Sequence, residues 1–585
     1  MATKRKYIPI LTLLFALVTA IAFIWFYKSQ DPSHLAFKKY IKWSIFPPQN
    51  LLEEKYLDKT SQVQDIFLYE NGIQVDNKNF EPHNDYKRVY KFPDKLRLVD
   101  YSRGFQADFA TNYNFDFSYS ASYTRAYSEN MEVIITREWS PYDDVTEYIE
   151  HYLNRFILDE RYRLKNEITL TEDTTRMIGK NSARVIRVTL DNLDPPSYDS
   201  YTYVMLKTGT RNFYRFMFKN RSDNAPPHAE FEEIIENFNW IKRYGEMKGN
   251  LNFAPREPDL WTDETKNLYH DIKNSTTLQW GIFATDIYGE GIEETVPRLE
   301  QSLDYTFPVV LSYIHFRTPF PAEFMQKAYE DGRIVELTYQ VTNYNNEDLF
   351  GHTPMLDIYR GRNDEEIRAF ARGAKEFGHP FLFRLNNEMN SDWTSYSGII
   401  NLSDPQIYID VWRRFYDIFQ EEGVGNAIWV FNPNDRNYPP CDWNHCTNYY
   451  PGNDYVQMLG ITGYNTGTYY GERFDERWRE FNEIYREIEH IYTPFFKEFP
   501  WIITEFASSS IGGDKAGWIN RMFRALPNFP QIKIAVWFSA ADYDNRPIFE
   551  GVVSRPYWLD ETPETLAAFR RGVHRTTQKY KKAYK

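Results

Sequence analysis

From about residue 280 to residue 540 the chain keeps one rhythm, in which apolar runs of 5–9 residues alternate with amphipathic stretches of about 12–20. The runs read as strands at Trp280–Ala284, Pro308–His315, Ile334–Gln340, Pro380–Leu385, Ala427–Phe431, Gln457–Gly463, Trp501–Thr504 and Ile532–Phe538. The stretches Glu290–Tyr305, Asp364–Phe377, Pro405–Glu422 and Asp475–Tyr492 read as connecting helices. Strands apolar on both faces, each followed by a helix, are the mark of parallel sheets. Eight of them over roughly 300 residues are what a (β/α)8 TIM barrel requires. A doubly wound open sheet is the alternative. It would more often carry a Gly-rich phosphate turn after its first strand, and Phe283-Ala-Thr-Asp286 has none.

The segment before this rhythm is built differently. Lys4, Arg5 and Lys6 precede a charge-free run from Tyr7 to Tyr27, closed by Lys28. About 20 apolar residues span a bilayer, and Tyr7, Trp25 and Tyr27 suit its interfaces. With the basic cluster inside, residues 1–28 are expected to be an N-terminal transmembrane helix, a single-pass membrane anchor that leaves the rest of the chain extracellular. A cleaved signal peptide is the other reading, but Val18-Thr19-Ala20 matches a cleavage site poorly. Residues 29–59, with Pro47-Pro48, read as a stalk.

Residues 60–245 read as an α+β accessory domain with a mostly antiparallel sheet. Its strands are expected at Met131–Arg137, Arg184–Leu190, Tyr201–Lys207 and Arg211–Lys219, and its helices at Tyr142–Leu158 and His228–Phe238. The run Tyr113, Phe115, Phe117, Tyr119, Tyr123 is a sugar-binding face or, as its period of two favours, one core face of a strand. A polar stretch near Gly245–Pro258 leads into the domain of residues 246–585.

Charge narrows the partners. Lys and Arg number 68 against 82 Asp and Glu, a net charge of −14, which argues against nucleic acid as partner. An aromatic content of 18% excludes a largely disordered chain and favours a neutral or weakly polar ligand. No His/Cys cluster or C-x-x-C spacing suggests a metal, so none is expected, nor any cofactor. Cys441 and Cys446, close together in what reads as a loop, are expected to form a local disulfide outside the cell.

In such a barrel the chemistry sits at the carboxyl ends of the strands. Those positions hold Asp286, His315, Tyr339, Asn387 with Glu388, Asn432, Tyr464, Glu505 and Trp537. Two carboxylates stand out: Glu388 after strand four and Glu505 ending strand seven. Glycoside hydrolysis needs two carboxyls flanking one bond, one of them holding its proton near neutral pH. His315 is a candidate for a substrate hydroxyl, and Trp393, Tyr396, Trp429 and Trp537 for stacking on pyranose rings. Arg384, inside strand four, is expected to support the carboxylates.

The segments Arg384-Leu-Asn-Asn-Glu-Met-Asn-Ser-Asp-Trp393, Pro451-Gly-Asn-Asp-Tyr-Val456, Gly463-Tyr-Asn, Trp501-Ile-Ile-Thr-Glu-Phe-Ala507 and Val536-Trp537 resemble glycoside hydrolase family 26 of clan A, over about residues 270–560. That family comprises mainly endo-β-mannanases, with some mixed-linkage glucanases and β-1,3-xylanases. The resemblance implies a retaining (β/α)8 enzyme with Glu388 as acid/base and Glu505 as nucleophile. It also implies substrate contacts from Trp393 and from Tyr464, the latter beside the nucleophile. Asn387 departs from the family's usual His before the acid/base. The wider clan carries Asn there, bonded to the sugar 2-OH, so a mixed-linkage β-glucan or an exopolysaccharide stands beside β-mannan as substrate.

The expectation is therefore a membrane-anchored extracellular retaining endo-β-glycosidase acting on a polysaccharide. Two alternatives stay open. One is a non-catalytic polysaccharide-binding protein on a barrel scaffold; the other is a transglycosylase that remodels the cell's own polymer.

Overall fold

Eight parallel strands close into a barrel in sequential order: Gln279–Ala284, Val309–His315, Ile334–Gln340, Phe381–Leu385, Ala427–Phe431, Met458–Thr462, Trp501–Phe506 and Ile532–Ser539, with the first pairing the eighth. Every one lies within two residues of its expected bounds. The computed structural model describes residues 68–70, 73–75, 87–119, 122–193, 198–221, 227–243, 251, 253–343, 348–471, 476–544 and 546–583. The expected anchor (1–28) and stalk (29–59) lie outside the described residues. Among those described, no helix is long and apolar enough to cross a membrane.

Local chemistry explains the helix ends. Helix Asp364–Phe377 opens on three acids, Asp364, Glu365 and Glu366, which complement the positive end of its dipole, and stops at Gly378 in the left-handed region. Helix Pro405–Glu422 has Asp404 as N-cap, Pro405 in the first turn and left-handed Gly423 after its end. Two helices depart from expectation. The first connection begins with a π-helical turn, Gly291–Thr295, before the α-helix Val296–Leu303. The helix expected from Asp475 starts at Phe481, since Trp478 and Arg521 both hydrogen-bond the Glu480 side chain and hold the approach outside the helix.

Alternation along the strands divides the core. Outward residues such as Phe383, Trp429, Ile503 and Trp537 pack under the helices. Inward residues Leu311, Leu382, Ile428, Met458, Ile502 and Val536 fill the barrel. Trp261 joins this inner cluster and donates its indole N–H to Ala427 O at 2.9 Å.

Upstream, a nine-stranded sheet has the order Ile73–Val75, Leu68–Glu70, Asn114–Asp116, Thr124–Tyr127, Met131–Trp139, Asn212–Asn220, Ser200–Lys207, Asn181–Leu190, Ile168–Ile178. It is antiparallel from Asn114 onward, as expected. Helix Glu160–Lys165 and the edge strand Ile168–Ile178 escape sequence reading. The strand is exposed at most positions and so lacks an apolar signal. The expected helix Tyr142–Leu158 is broken into Val145–Tyr148, a π-helical turn Ile149–Leu153 and Arg155–Leu158.

Among the described residues, those within 68–74, 114–236 and 249–585 form one unit, and those within 75–113 and 237–248 belong to the other. The smaller unit holds a four-stranded sheet, in the order Asn239–Trp240, Phe105–Phe109, Leu96–Asp100, Lys87–Lys91. In the larger unit, the helical segment over the nine-stranded sheet shares a hydrophobic cluster with Ile399, Ile400, Leu402, Ile407 and Trp443, from the loops and helix that follow barrel strands four and five.

Two expectations about side chains are decided here. Tyr113, Phe115 and Phe117 are buried, and the partly buried rings of Tyr119 and Tyr123 stack on each other at 5.2 Å, so the aromatic run serves the core. The expected disulfide is corrected: Cys441 and Cys446 are free and buried. Cys441 packs into the cluster shared with the sheet and meets Tyr148 OH at 3.5 Å, while Cys446 packs into the main barrel cluster, so the short helix Asp442–Asn444 sends the two thiols into different cores.

Candidate active site

At the carboxyl-end mouth the inward positions turn polar. Thr338 and Arg384 lie in register on strands three and four, Asn432 follows strand five, Thr462 ends strand six, and Thr504 and Glu505 belong to strand seven. Simple alternation would send Glu505 outward, after inward Ile502 and Thr504. A register irregularity against strand eight, between Ile503 and Phe506, breaks the alternation and turns both Thr504 and Glu505 inward.

The acid-bearing turn after strand four is held by its backbone. Asn386 and Glu388 both have positive φ, 52° and 59°. Asn tolerates this; for Glu it is a strained position that the surroundings must enforce. Asn386 donates its N–H to Tyr339 O at 2.9 Å, and its side-chain oxygen accepts from Val341 N at 2.8 Å. Glu388 N–H donates to Asn432 O at 2.7 Å, stitching the turn to the end of strand five.

Arg384, fully buried, is the centre of the site. Its Nε donates to Thr338 Oγ1 at 2.7 Å and its Nη1 to Asn432 Oδ1 at 3.0 Å. Nη1 lies 3.4 Å from Glu505 Oε1, and Nε lies 3.2 Å from Glu336 Oε1. Arg384, expected to support the carboxylates, thus touches Thr338, Asn432, Glu336 and Glu505.

Asn387 is oriented by elimination. Its Oδ1 accepts from Gln340 Nε2 at 3.0 Å and from Tyr396 OH at 2.9 Å, so its Nδ2 is left to face Glu505 Oε1 at 3.4 Å. Burial pushes both carboxyls up, Glu388 to about 7 and Glu505 to about 8. Asp542 raises both, Asp435 raises Glu388, and the Arg384 charge and a Trp393 hydrogen bond pull Glu388 back. The donors aimed at Glu505, the Arg384 guanidinium and the Asn387 amide, favour its ionised form.

The other expected residues separate clearly. Tyr464 lies in the field of Glu388 and packs on Phe538 and Tyr557. Trp393 is exposed beside Glu388, with Tyr438 against its ring at 5.3 Å. His315 is partly buried at the mouth, its Nδ1 2.9 Å from Thr342 Oγ1, and burial lowers its pKa. Trp537 requires correction as a sugar platform: it is fully buried, faces the outer layer of Phe506, Trp518 and Phe569, and donates its indole N–H to Tyr557 O. Trp429 is likewise core, against Phe383 and Trp412. Tyr339 faces the helices, and Asp286 is exposed at a helix start.

Sequence reading missed Gln340, one residue past Tyr339, where strict period two would have found the inward position. It also missed Asp542, on the hairpin after strand eight, where no strand-end rule points. Among the described residues no group of three or more His, Cys, Asp and Glu side chains could hold a metal ion.

Comparison with known proteins points to a family. Residues 335–495 match the model of Glycosyl hydrolase family 26, a span that includes Glu388 and ends before Glu505. Endoglucanase H of Acetivibrio thermocellus is 28% identical over 288 residues, covering 48% of this chain and 29% of the relative. Mannan endo-1,4-beta-mannosidase of Bacillus subtilis is 30% identical over 109 residues, covering 17% of this chain and 28% of the relative. The solved catalytic domain of the endo-beta-1,4-mannanase of Bacillus sp. JAMB-750 is 16% identical and covers 55% of this chain and 92% of that one, with a TM-score of 0.41. The chain thus spans less than a third of the length of these curated relatives. It carries a glycosyl hydrolase family 26 domain.

Proposed function

We propose that this family 26 domain is a retaining endo-β-glycosidase that cleaves a β-linked mannan or glucan, and that the N-terminal apolar segment tethers it to the outside of the cell. The observation that carries the reading is the convergence of Glu388 and Glu505 on one buried mouth around Arg384, with an amide and a guanidinium aimed at Glu505. The family match and the mannan- and glucan-directed relatives support the substrate class. The charge-free run Tyr7–Tyr27 behind Lys4–Lys6 supports the tether.

The chemistry follows from the placement. Glu505, ionised, attacks the anomeric carbon while the bond from that carbon to the leaving oxygen breaks. The leaving oxygen takes the proton of Glu388, whose pKa near 7 keeps it protonated in mildly acidic solution. Arg384 and Asn387 hold Glu505 in line during this step. In the second half Glu388, now a carboxylate, removes a proton from water, the water oxygen bonds to the anomeric carbon, and Glu505 is released. Asn387, with its oxygen already committed to Gln340 and Tyr396, has its amide N–H groups to offer a sugar hydroxyl.

The test is reducing-end release from β-mannan, mixed-linkage β-glucan, β-1,3-xylan and a bacterial exopolysaccharide, beside Glu505→Ala. Release that drops on the order of 10⁴-fold in the variant at unchanged melting temperature is expected. Binding without release in both proteins would replace the enzyme with a lectin.

A further inference from the structure

Glu388 faces Arg384, Asp435, Asp542, Tyr464, Tyr557 and the indole of Trp393. Trp393 is the partner with the least support of its own. Its side chain has 42% of its surface open, although Ser391 and Thr394 on either side are buried. The residue before it, Asp392, is nevertheless held firmly from outside the barrel. Tyr152 donates its hydroxyl to Asp392 Oδ2 at 2.7 Å, and Arg155 Nη2 reaches the same oxygen at 3.2 Å. Both come from the helical segment that lies over the nine-stranded sheet, Tyr152 from its π-helical turn.

Tyr152 is itself locked. The Arg155 guanidinium lies over its ring at 4.4 Å, and Tyr148 stacks on it at 5.5 Å with planes 17° apart. Further along, the same sheet domain pins the loop's far end: Tyr162 and Tyr203 hydroxyls donate to Ile400 O and Leu402 O, and Lys219 pairs with Asp404 at 3.3 Å.

We propose that Tyr152 is a positioning residue for the acid/base: by gripping Asp392 it fixes the turn that the Ser391 N–H closes on Glu388 O at 3.0 Å, and with it Trp393 beside the acid. The inference rests on the glycosidase reading above and extends it, because it makes the accessory sheet part of the catalytic unit. Its logic predicts where the loss falls. Trp393 pulls the Glu388 pKa down. A loosened Trp393 lets that pKa rise, so the alkaline limb of the pH–rate profile moves to higher pH. It also leaves the acid poorly aimed, which matters only when the leaving group needs its proton.

Tyr152→Phe keeps the sandwiched ring and removes one hydroxyl, so the fold is retained. The experiment compares wild type, Tyr152→Phe, Trp393→Phe and the double variant on two substrates: the polymer that wild type cleaves, and a 2,4-dinitrophenyl β-glycoside of its sugar, whose leaving group departs without an acid. The expected result for Tyr152→Phe is a fall of roughly tenfold in kcat on the polymer, an alkaline limb shifted upward, and an unchanged bond-cleavage rate on the activated glycoside. The double variant should be no slower than Trp393→Phe alone. Equal losses on both substrates, additive losses in the double variant, or a Tyr152→Phe enzyme indistinguishable from wild type would each overturn the positioning role while leaving the glycosidase reading intact. A wild type that turns over neither substrate overturns both.

Discussion

The barrel interior holds two layers made by the same strands with the same alternation, and they are filled in opposite ways. In the lower layer Leu311, Leu382, Ile428, Ile502 and Val536 interlock with no polar atom to satisfy. In the layer above, Tyr313, Thr338, Arg384, Thr462, Thr504 and Glu505 occupy the inward positions, and two of their polar atoms, Tyr313 OH and Arg384 Nη2, are buried without a hydrogen-bond partner. The first arrangement stabilises; the second costs stability and supplies charge where a substrate would arrive. Glu336 belongs to both. It stands in register with Leu311 and Leu382 in the apolar layer, yet reaches Arg384 in the layer above.

Arg384→Met breaks the upper layer most severely. It removes the positive charge beside Glu505, and kcat should fall about 10³-fold. Adding Glu336→Leu removes the carboxyl that Arg384 had offset, so the double variant should regain melting temperature without regaining rate. Recovery of rate would mean that Arg384 serves packing alone. The matching change in the lower layer, Leu382→Ala, should lower unfolding free energy by about 3 kcal/mol and leave kcat within about twofold, measured by denaturant unfolding and initial rates.

Glu336→Gln sharpens the boundary between layers. Burial among apolar side chains pushes the Glu336 carboxyl up to about 8. A carboxyl whose folded pKa exceeds its unfolded value favours folding fully below the unfolded value near 4.5, and that contribution is lost as pH rises toward 8. The variant, which has no proton to lose, should match wild type near pH 4 and be more stable by about 1–3 kcal/mol near pH 8. A stability difference independent of pH would mean that Glu336 keeps one charge state throughout.

The contrast between layers also explains how far the sequence could be read. The lower layer and the outer shell are apolar on both strand faces, so all eight strands and four of the connecting helices are legible from periodicity alone. Glu388 and Glu505 were legible because strand ends are where such barrels place chemistry. What failed is what alternation does not encode. Trp537 was assigned inward because it ends a strand, but it is the outward member of its pair. Gln340 was passed over for Tyr339 for the same reason, a slip of one residue at a strand end. The nine-stranded sheet was visible as strands, while its hold on the loop of Asp392 and Trp393 is a contact between residues some 240 positions apart, Tyr152 and Asp392, which no local pattern carries.

The smallest expected effect tests that slip directly. Asn387 Nδ2 faces Glu505 only because its oxygen is engaged by two donors, Gln340 Nε2 and Tyr396 OH. Gln340→Leu removes one of them, and Tyr396 still holds the amide most of the time. One neutral hydrogen bond is worth about 1 kcal/mol, so kcat/KM should fall about fivefold. The amide turned away from Glu505 no longer favours its carboxylate, so the acid limb of the pH–rate profile should move to higher pH while the alkaline limb, set by Glu388, stays in place. Adding Tyr396→Phe frees the amide altogether, and the loss should then exceed the product of the two single losses. An acid limb unmoved in both variants would show that Asn387 is oriented by the substrate and not by the barrel, and Gln340 would return to the ordinary lining of the upper layer.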